Sequence, residues 1–358
     1  MLFFGLQERE IDISVKKERK EVEIFLARFD LKFEKDVDYT IVFEKKNQII
    51  ATGSYTGKVL KCIAVDPDWE GTGLAAKVIS ILVKKKFTEG TQKLFVFTKP
   101  QTALQFISLG FKEITQVENK VSFLEFGFPG IDDYLKDLKR SANDKIAQIK
   151  NKINKLSSIA AIVMNCNPFT LGHQYLIEKA ASENDLLYIL VVSEDKSVFP
   201  TRTRKELIKK GTAHLNNVIV LTGGDYIISS ATFPSYFTQD QELAEVQAKL
   251  DIKIFSVYIA PALNIKRRYV GEEPYCPVTR KYNEIMKKGL IKNGVEFIKL
   301  KRLKMNGKAV SASTVRTLLK RSDFTGVEKL VPYTTFSYLV SENAKHIITK
   351  LKKADSRH

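Results

Sequence analysis

Six consecutive apolar residues, Ile159–Met164, run into a short polar loop, Asn165-Cys166-Asn167-Pro168, and then into Thr170-Leu171-Gly172-His173 at the head of a helical pattern. A strand with no polar face is stable only when both its faces are covered, which is the situation of a parallel sheet flanked by helices. The following residues keep to that plan. Helices are expected over 172–182, 202–211 and 278–288, strands over 186–193, 217–222, 254–259 and 296–299, and a helical region from Ser313 onward. Short strands separated by ten-residue helices make 158–358 an α/β domain with a Rossmann-like parallel sheet.

The same segment carries chemistry. A strand that turns directly into a helix aims backbone N–H groups and the positive end of the helix dipole at one point, where an anion is stabilised. His173 lies in that first turn, and an imidazole there can donate to an oxygen on which charge builds during phosphoryl or nucleotidyl transfer. Val310-Ser311-Ala312-Ser313-Thr314-Val315-Arg316 repeats the theme near the end of the chain. It sets hydroxyls at a helix start with a guanidinium one turn in, and these can converge on polyphosphate. Alone, the segment would read first as a Ser cap beside a surface Arg; paired with the first motif it does not stand alone.

The first third has a different texture. Between 12 and 125, helical and strand patterns alternate as an α+β domain, expected over 1–130, and an amphipathic connector is expected over 131–157. Glu70-Gly71-Thr72-Gly73-Leu74-Ala75 stands between the strand expected over 59–65 and the helix expected over 74–87. As a GxGxxA dinucleotide fingerprint it needs an acidic residue closing the next strand. That strand ends instead in Thr98-Lys99-Pro100, so the reading fails.

Charge follows the division. The net +17 is concentrated beyond residue 130, where 38 basic residues face 23 acidic ones, against 20 and 18 before it. That excess fits nucleic acid, nucleotides, coenzymes or an acidic carrier protein alike. No helix-turn-helix, RNP or interleaved aromatic and basic motif favours nucleic acid. Cys62, Cys166 and Cys276 are far apart with no CxxC pair, which excludes a disulfide framework and a zinc site. No apolar run reaches the ~18 residues of a spanning helix, and the start lacks a signal-peptide pattern. A cytoplasmic protein with no membrane partner is expected.

These motifs carry a resemblance. Thr170-Leu171-Gly172-His173 resembles the (H/T)xGH motif, and Ser311 to Arg316 the ISxTxxR-type motif, of the nucleotidylyltransferase superfamily. More closely, AIVMNCNPFTLGHQYLIEKAA from Ala161, VSEDKSVFPTRTR from Val192, TGGDYIISSATFPSYF from Thr222 and YVGEEP from Tyr269 resemble the citrate lyase ligase family. The loop at Gly71 and Gly73, with Ala103, Phe106, Gly110 and Phe111 downstream, is similar to the pyrophosphate loop and closing motif of GNAT acetyltransferases. Glu70 stands where that family has Gln or Arg.

The resemblance implies an AMP-forming ligase using ATP with Mg2+ and acetate, whose partner is the citrate lyase acyl carrier subunit with its CoA-derived thiol. It implies catalytic roles for His173, Thr170 and Arg316, and nucleotide binding by Asn165, Asn167, Gly172, Ser311 and Ser313. Gly71, Gly73 and Ala75 would bind the prosthetic group. Thr170 stands where many superfamily members have His, and Asn167 where related adenylyltransferases often have Asp. Lys196 and Arg202 are candidates for the missing positive charge, or are solvated loop residues. The metal ligands are not identified. An adenylyltransferase of coenzyme biosynthesis fused to an N-acetyltransferase domain is the alternative, and it predicts His and Asp at 170 and 167.

Overall fold

The computed structural model describes residues 5–34, 36–150, 156–193, 197–227, 240–272 and 277–353. The chain divides into two compact units, residues 1–133 with 232–250, and residues 134–231 with 251–358. Lys196, Cys276 and part of the stretch after Thr222 lie outside the described residues.

The first unit comprises β1 Gln7–Glu10, α1 Lys16–Ala27, β2 Tyr39–Lys45, β3 Gln48–Thr56, β4 Val59–Val65, α2 Leu74–Thr88, β5 Lys93–Thr98, α3 Pro100–Ser108, β6 Lys112–Val117 and β7 Val121–Gly127. Its seven strands form one sheet in the order β1-β2-β3-β4-β5-β7-β6. Every pairing is antiparallel except β4 with β5. The apolar face of α2 (Leu74, Val78, Ile79, Leu82) packs on Ile41, Phe43, Leu60 and Val96. Gly53 admits that helix, because a Cβ there would sit 2.4 Å from Val78 Cγ1. β1 escaped the sequence reading: its residues, QERE, are charged and largely exposed, as an edge strand tolerates.

The β4–β5 pairing is short. Only Val59 with Phe95 and Leu60 with Val96 are in register before the strands separate. Just past that point Cys62 has φ +53° and the β3–β4 register slips, so β4 bends as bulged strands do.

α4 spans Ile131–Lys150. The chain continues with β8 Ile159–Met164, α5 Leu171–Ser182, β9 Leu186–Val191, α6 Thr201–Gly211, β10 Val218–Thr222, α7 Asp240–Ile254 (in the first unit up to Leu250), α8 Ala260–Ala262, β11 Arg267–Gly271, α9 Pro277–Lys292, β12 Glu296–Leu300, the hairpin β13 Lys304–Met305 and β14 Lys308–Ala309, α10 Ala312–Lys320, α11 Phe324–Glu328, α12 Tyr333–Leu339 and α13 Glu342–Lys353, all but that part of α7 in the second unit. β10-β9-β8-β11-β12 form an all-parallel five-stranded sheet. This is the Rossmann-like arrangement expected, with β8 innermost and the strand order reversing between β8 and β11.

One expectation is corrected. The stretch 254–259 is not a strand: Phe255–Ile259 forms a π-helical turn continuing from α7. Its β-branched, apolar sequence suits a buried helix as well as a strand, and Phe255, Ser256 and Ile259 are buried there. The strand is Arg267–Gly271, masked in the sequence by two arginines. Arg268 is 2% exposed, with its guanidinium over the Phe255 ring at 4.2 Å and 3.7 Å from the Asp251 carboxylate. The amphipathic helix expected in the connector is present as α4, whose residues from Tyr134 onward fall in the second unit. The Tyr134 hydroxyl donates to Gly223 O (2.8 Å) and Lys145 Nζ to Val220 O (2.8 Å), covering the open edge of β10.

Candidate functional site

In an open parallel sheet, ligands bind outside the carboxyl ends of the strands where the strand order reverses. Here that point lies between β8, which leads through Asn165–Pro168 into α5, and β11, which ends at Gly271.

Thr170 is the N-cap of α5, with extended φ and ψ, and His173 completes a capping box with it. The His173 N–H donates to Thr170 Oγ1 (3.4 Å), and Nδ1 of His173 accepts from the Thr170 N–H (3.1 Å) with Thr170 Oγ1 at 2.9 Å. An Nδ1 that accepts an amide proton is unprotonated, so the ring proton resides on Nε2. Burial, with a further contribution from the Arg302 charge, lowers the His173 pKa to about 4. The imidazole is therefore neutral at pH 7 and is a donor through Nε2.

Gly172 is required for space. A Cβ on it would lie 2.9 Å from Val310 O, so the N-termini of α5 and α10 lie against each other. Ser311 caps α10, its Oγ accepting from the Thr314 N–H (3.2 Å) and lying 2.9 Å from Ser313 Oγ and 2.8 Å from Thr314 Oγ1. Arg316 Nη1 donates to Asn167 O (2.6 Å), which ties α10 to the loop, and desolvation lowers the Arg316 pKa. The structure thus brings Thr170, Gly172, His173, Ser311, Ser313 and Arg316 to two adjoining helix starts.

Asn165 and Asn167 lie in the same loop, where their side-chain oxygens accept hydrogen bonds from the neighbouring segments. Asn165 Oδ1 accepts from Ser197 Oγ (3.2 Å) and Arg204 Nη1 (2.7 Å), and Asn167 Oδ1 accepts from the Phe199 N–H (3.0 Å). Cys166 between them is buried with φ +54°, and burial raises its thiol pKa, so it is no nucleophile. Arg202 is exposed on α6 and is not brought to the loop by any contact described. Two residues later, Arg204 is fully buried and donates to Asn165 O, Val192 O and Phe199 O, each at 2.8 Å. Its place one helical turn into α6, after Pro200 and Thr201, was the available signal. Arg302 was also missed in the sequence.

In the first unit, the gap between β4 and β5 opens into a cavity of about 750 Å3 lined by Ile63, Val65, Trp69, Phe97, Thr98 and Phe106. Gly71, Gly73 and Ala75 lie on its rim at the start of α2. Gly71 has φ +73° and Gly73 φ +84°, and a Cβ on either would meet nothing within 4 Å. These glycines serve backbone handedness and leave the amides at the helix start uncovered. Lys61, 6% exposed, lines the cavity and pairs with Glu34. Among the described residues no three His, Cys, Asp or Glu side chains gather to hold a metal, and no helix is long and apolar enough to cross a membrane.

A family model described as the citrate lyase ligase C-terminal domain matches residues 159–339. The chain is 38% identical to a [citrate [pro-3S]-lyase] ligase of Klebsiella pneumoniae, covering 91% of this chain and 93% of that one. It is 36% identical to the ligase of the same name from Escherichia coli, covering 91% of each. A phosphopantetheine adenylyltransferase of Corynebacterium glutamicum is 26% identical over 32% of this chain and 68% of its own.

Proposed function

The chain belongs to the citrate lyase ligase family, and on that premise we propose that it activates citrate lyase by acetylating its acyl carrier subunit at the expense of ATP. The observation that carries the ATP half is the meeting of two helix N-termini, Gly172 against Val310 O with Arg316 bound to Asn167 O. Two dipole ends, the Ser311 and Ser313 hydroxyls and a guanidinium make a cradle suited to a polyphosphate.

In this reading an acetate oxygen attacks the α-phosphorus, the bond to the bridging oxygen breaks, and pyrophosphate leaves. His173, neutral and oriented by Thr170, donates its Nε2–H to a non-bridging oxygen as charge accumulates there. Ser311, Ser313 and Arg316 hold the departing pyrophosphate, and Asn165, Asn167 and Gly172 keep the loop in shape. Mg2+ brought in with ATP would supply further neutralisation of the phosphate charge beside Ser311, Ser313 and Arg316.

The acetyl-adenylate then gives its acetyl group to the thiol of the carrier's CoA-derived arm, releasing AMP. The cavity between β4 and β5 is the proposed seat of that arm, with its pyrophosphate on the amides of Gly71 to Ala75. Its lining combines apolar side chains such as Ile63, Val65 and Phe106 with polar ones such as Thr98 and Thr102, a mixture that suits a pantetheine.

The adenylation half is tested by acetate-dependent exchange of labelled pyrophosphate into ATP without the carrier. Exchange is expected with acetate and absent without it. Exchange that needs phosphopantetheine in place of acetate would transfer the assignment to an adenylyltransferase.

A further inference from the structure

The nucleotide site has a second wall. After β12 the chain passes Arg302 and Leu303, makes the β13–β14 hairpin, and returns through Val310 to Ser311. The Val310 N–H donates to Leu303 O (3.0 Å), so the hairpin is closed at its base and Leu303 is fixed beside the residue that abuts Gly172. Arg302, half-buried, donates its Nε–H to Glu272 O (2.6 Å), and the Glu272 N–H donates to Leu300 O (2.8 Å). Arg302 is thereby anchored at the carboxyl end of β11, the strand across the crevice from β8.

We propose that Arg302 is a phosphate-binding residue of this site, holding the polyphosphate from the β11 side while Arg316 holds the β8 loop. The assignment rests on the nucleotide reading given above. Three features support it. The Nε–H is committed to a backbone carbonyl, which orients the planar guanidinium as recognition of phosphate oxygens requires. The Leu303–Val310 bond sets Arg302 and the Ser311 hydroxyls at the two feet of one hairpin. The charge of Arg302 is felt at His173, where it favours the neutral imidazole.

The test compares ATP binding by calorimetry in the full-length wild type, Arg302→Gln and Arg302→Lys, together with the His173 titration followed by NMR. Arg302→Gln is expected to weaken ATP binding by about 10–100-fold and to move the His173 titration upward. Arg302→Lys, which keeps the charge but not the anchored planar fork, should hold the His173 titration near its wild-type position and recover only part of the binding. Wild-type binding with Arg302→Gln within twofold of it and an unmoved His173 would overturn the role of Arg302 and leave the nucleotide site standing. A wild type that binds no ATP would overturn both. Should Arg302→Gln fail to fold, the Arg302 Nε–H resonance of the wild type, assigned by its loss in Arg302→Lys, must shift on adding pyrophosphate. No shift would refute the assignment.

Discussion

Two helix starts in this molecule carry glycine for opposite reasons. At α5 the backbone is ordinary and the surroundings are full: a side chain on Gly172 would press on Val310 O, and Thr170 and His173 are bonded to each other. At α2 the surroundings are open and the backbone is left-handed at Gly71 and Gly73, with nothing near either Cβ position. The first is a preorganised electrostatic site with little room for adjustment. The second is a rim over a cavity with open space around it. A close approach and a positive φ are thus different constraints, and each predicts its own failure.

The largest effect should come from filling the open rim with charge. Gly73→Glu adds a carboxylate where a pyrophosphate is expected, so carrier acetylation should be lost while acetate-dependent pyrophosphate exchange persists. Undiminished acetylation in that variant would remove the cavity from the reaction. Next is His173→Ala, which should slow acetyl-adenylate formation by about 10²–10³-fold, the cost of one preorganised donor. A single-turnover assay measures it, and a near-normal rate would end the role given to Nε2.

Alanine at the two glycines sharpens the contrast. Gly172→Ala should cost about 1–3 kcal/mol, because a backbone carbonyl cannot step aside as a flexible side chain does, and it should slow adenylation. Gly73→Ala should cost about 1–2 kcal/mol through its left-handed backbone alone and leave adenylation intact. Thermal melts and exchange assays on the pair separate the two. If both variants lose exchange equally, the two helix starts are not independent.

The smallest effect is on pH dependence. With a folded pKa of about 4 against about 6.5 unfolded, His173 favours the folded state fully above about pH 6.5. That contribution falls as pH drops toward 4, because the unfolded chain takes up the proton first. The kcat/KM for ATP should therefore show no limb near pH 6.5 arising from His173. A limb there that vanishes in His173→Gln would contradict the neutral imidazole.

The parallel sheet was legible because Ile159–Met164 and Leu186–Val191 are wholly apolar, and wholly apolar strands have few other homes. Thr170, Gly172 and His173 were legible because caps and helix starts are local. Arg267–Gly271 was hidden because Arg268 is solvated by tertiary contacts, the Phe255 ring and the Asp251 carboxylate, which no local pattern announces. Arg204 was passed over for Arg202 because burial of an arginine depends on distant carbonyls, Asn165 O and Val192 O, that must arrive from two other strand ends. The role of α4 was equally invisible: Tyr134 and Lys145 look like ordinary polar surface until the open edge of β10 lies beneath them.

The proposed function couples adenylation and thiol capture in one chain. It is tested most directly by measuring AMP and pyrophosphate release on mixing the protein with ATP, acetate and deacetylated citrate lyase, omitting each component in turn. One AMP and one pyrophosphate are expected per acetyl thioester formed, with no sustained AMP release when acetate or the lyase is left out. Sustained AMP release without the lyase, or acetylation without pyrophosphate, would contradict it.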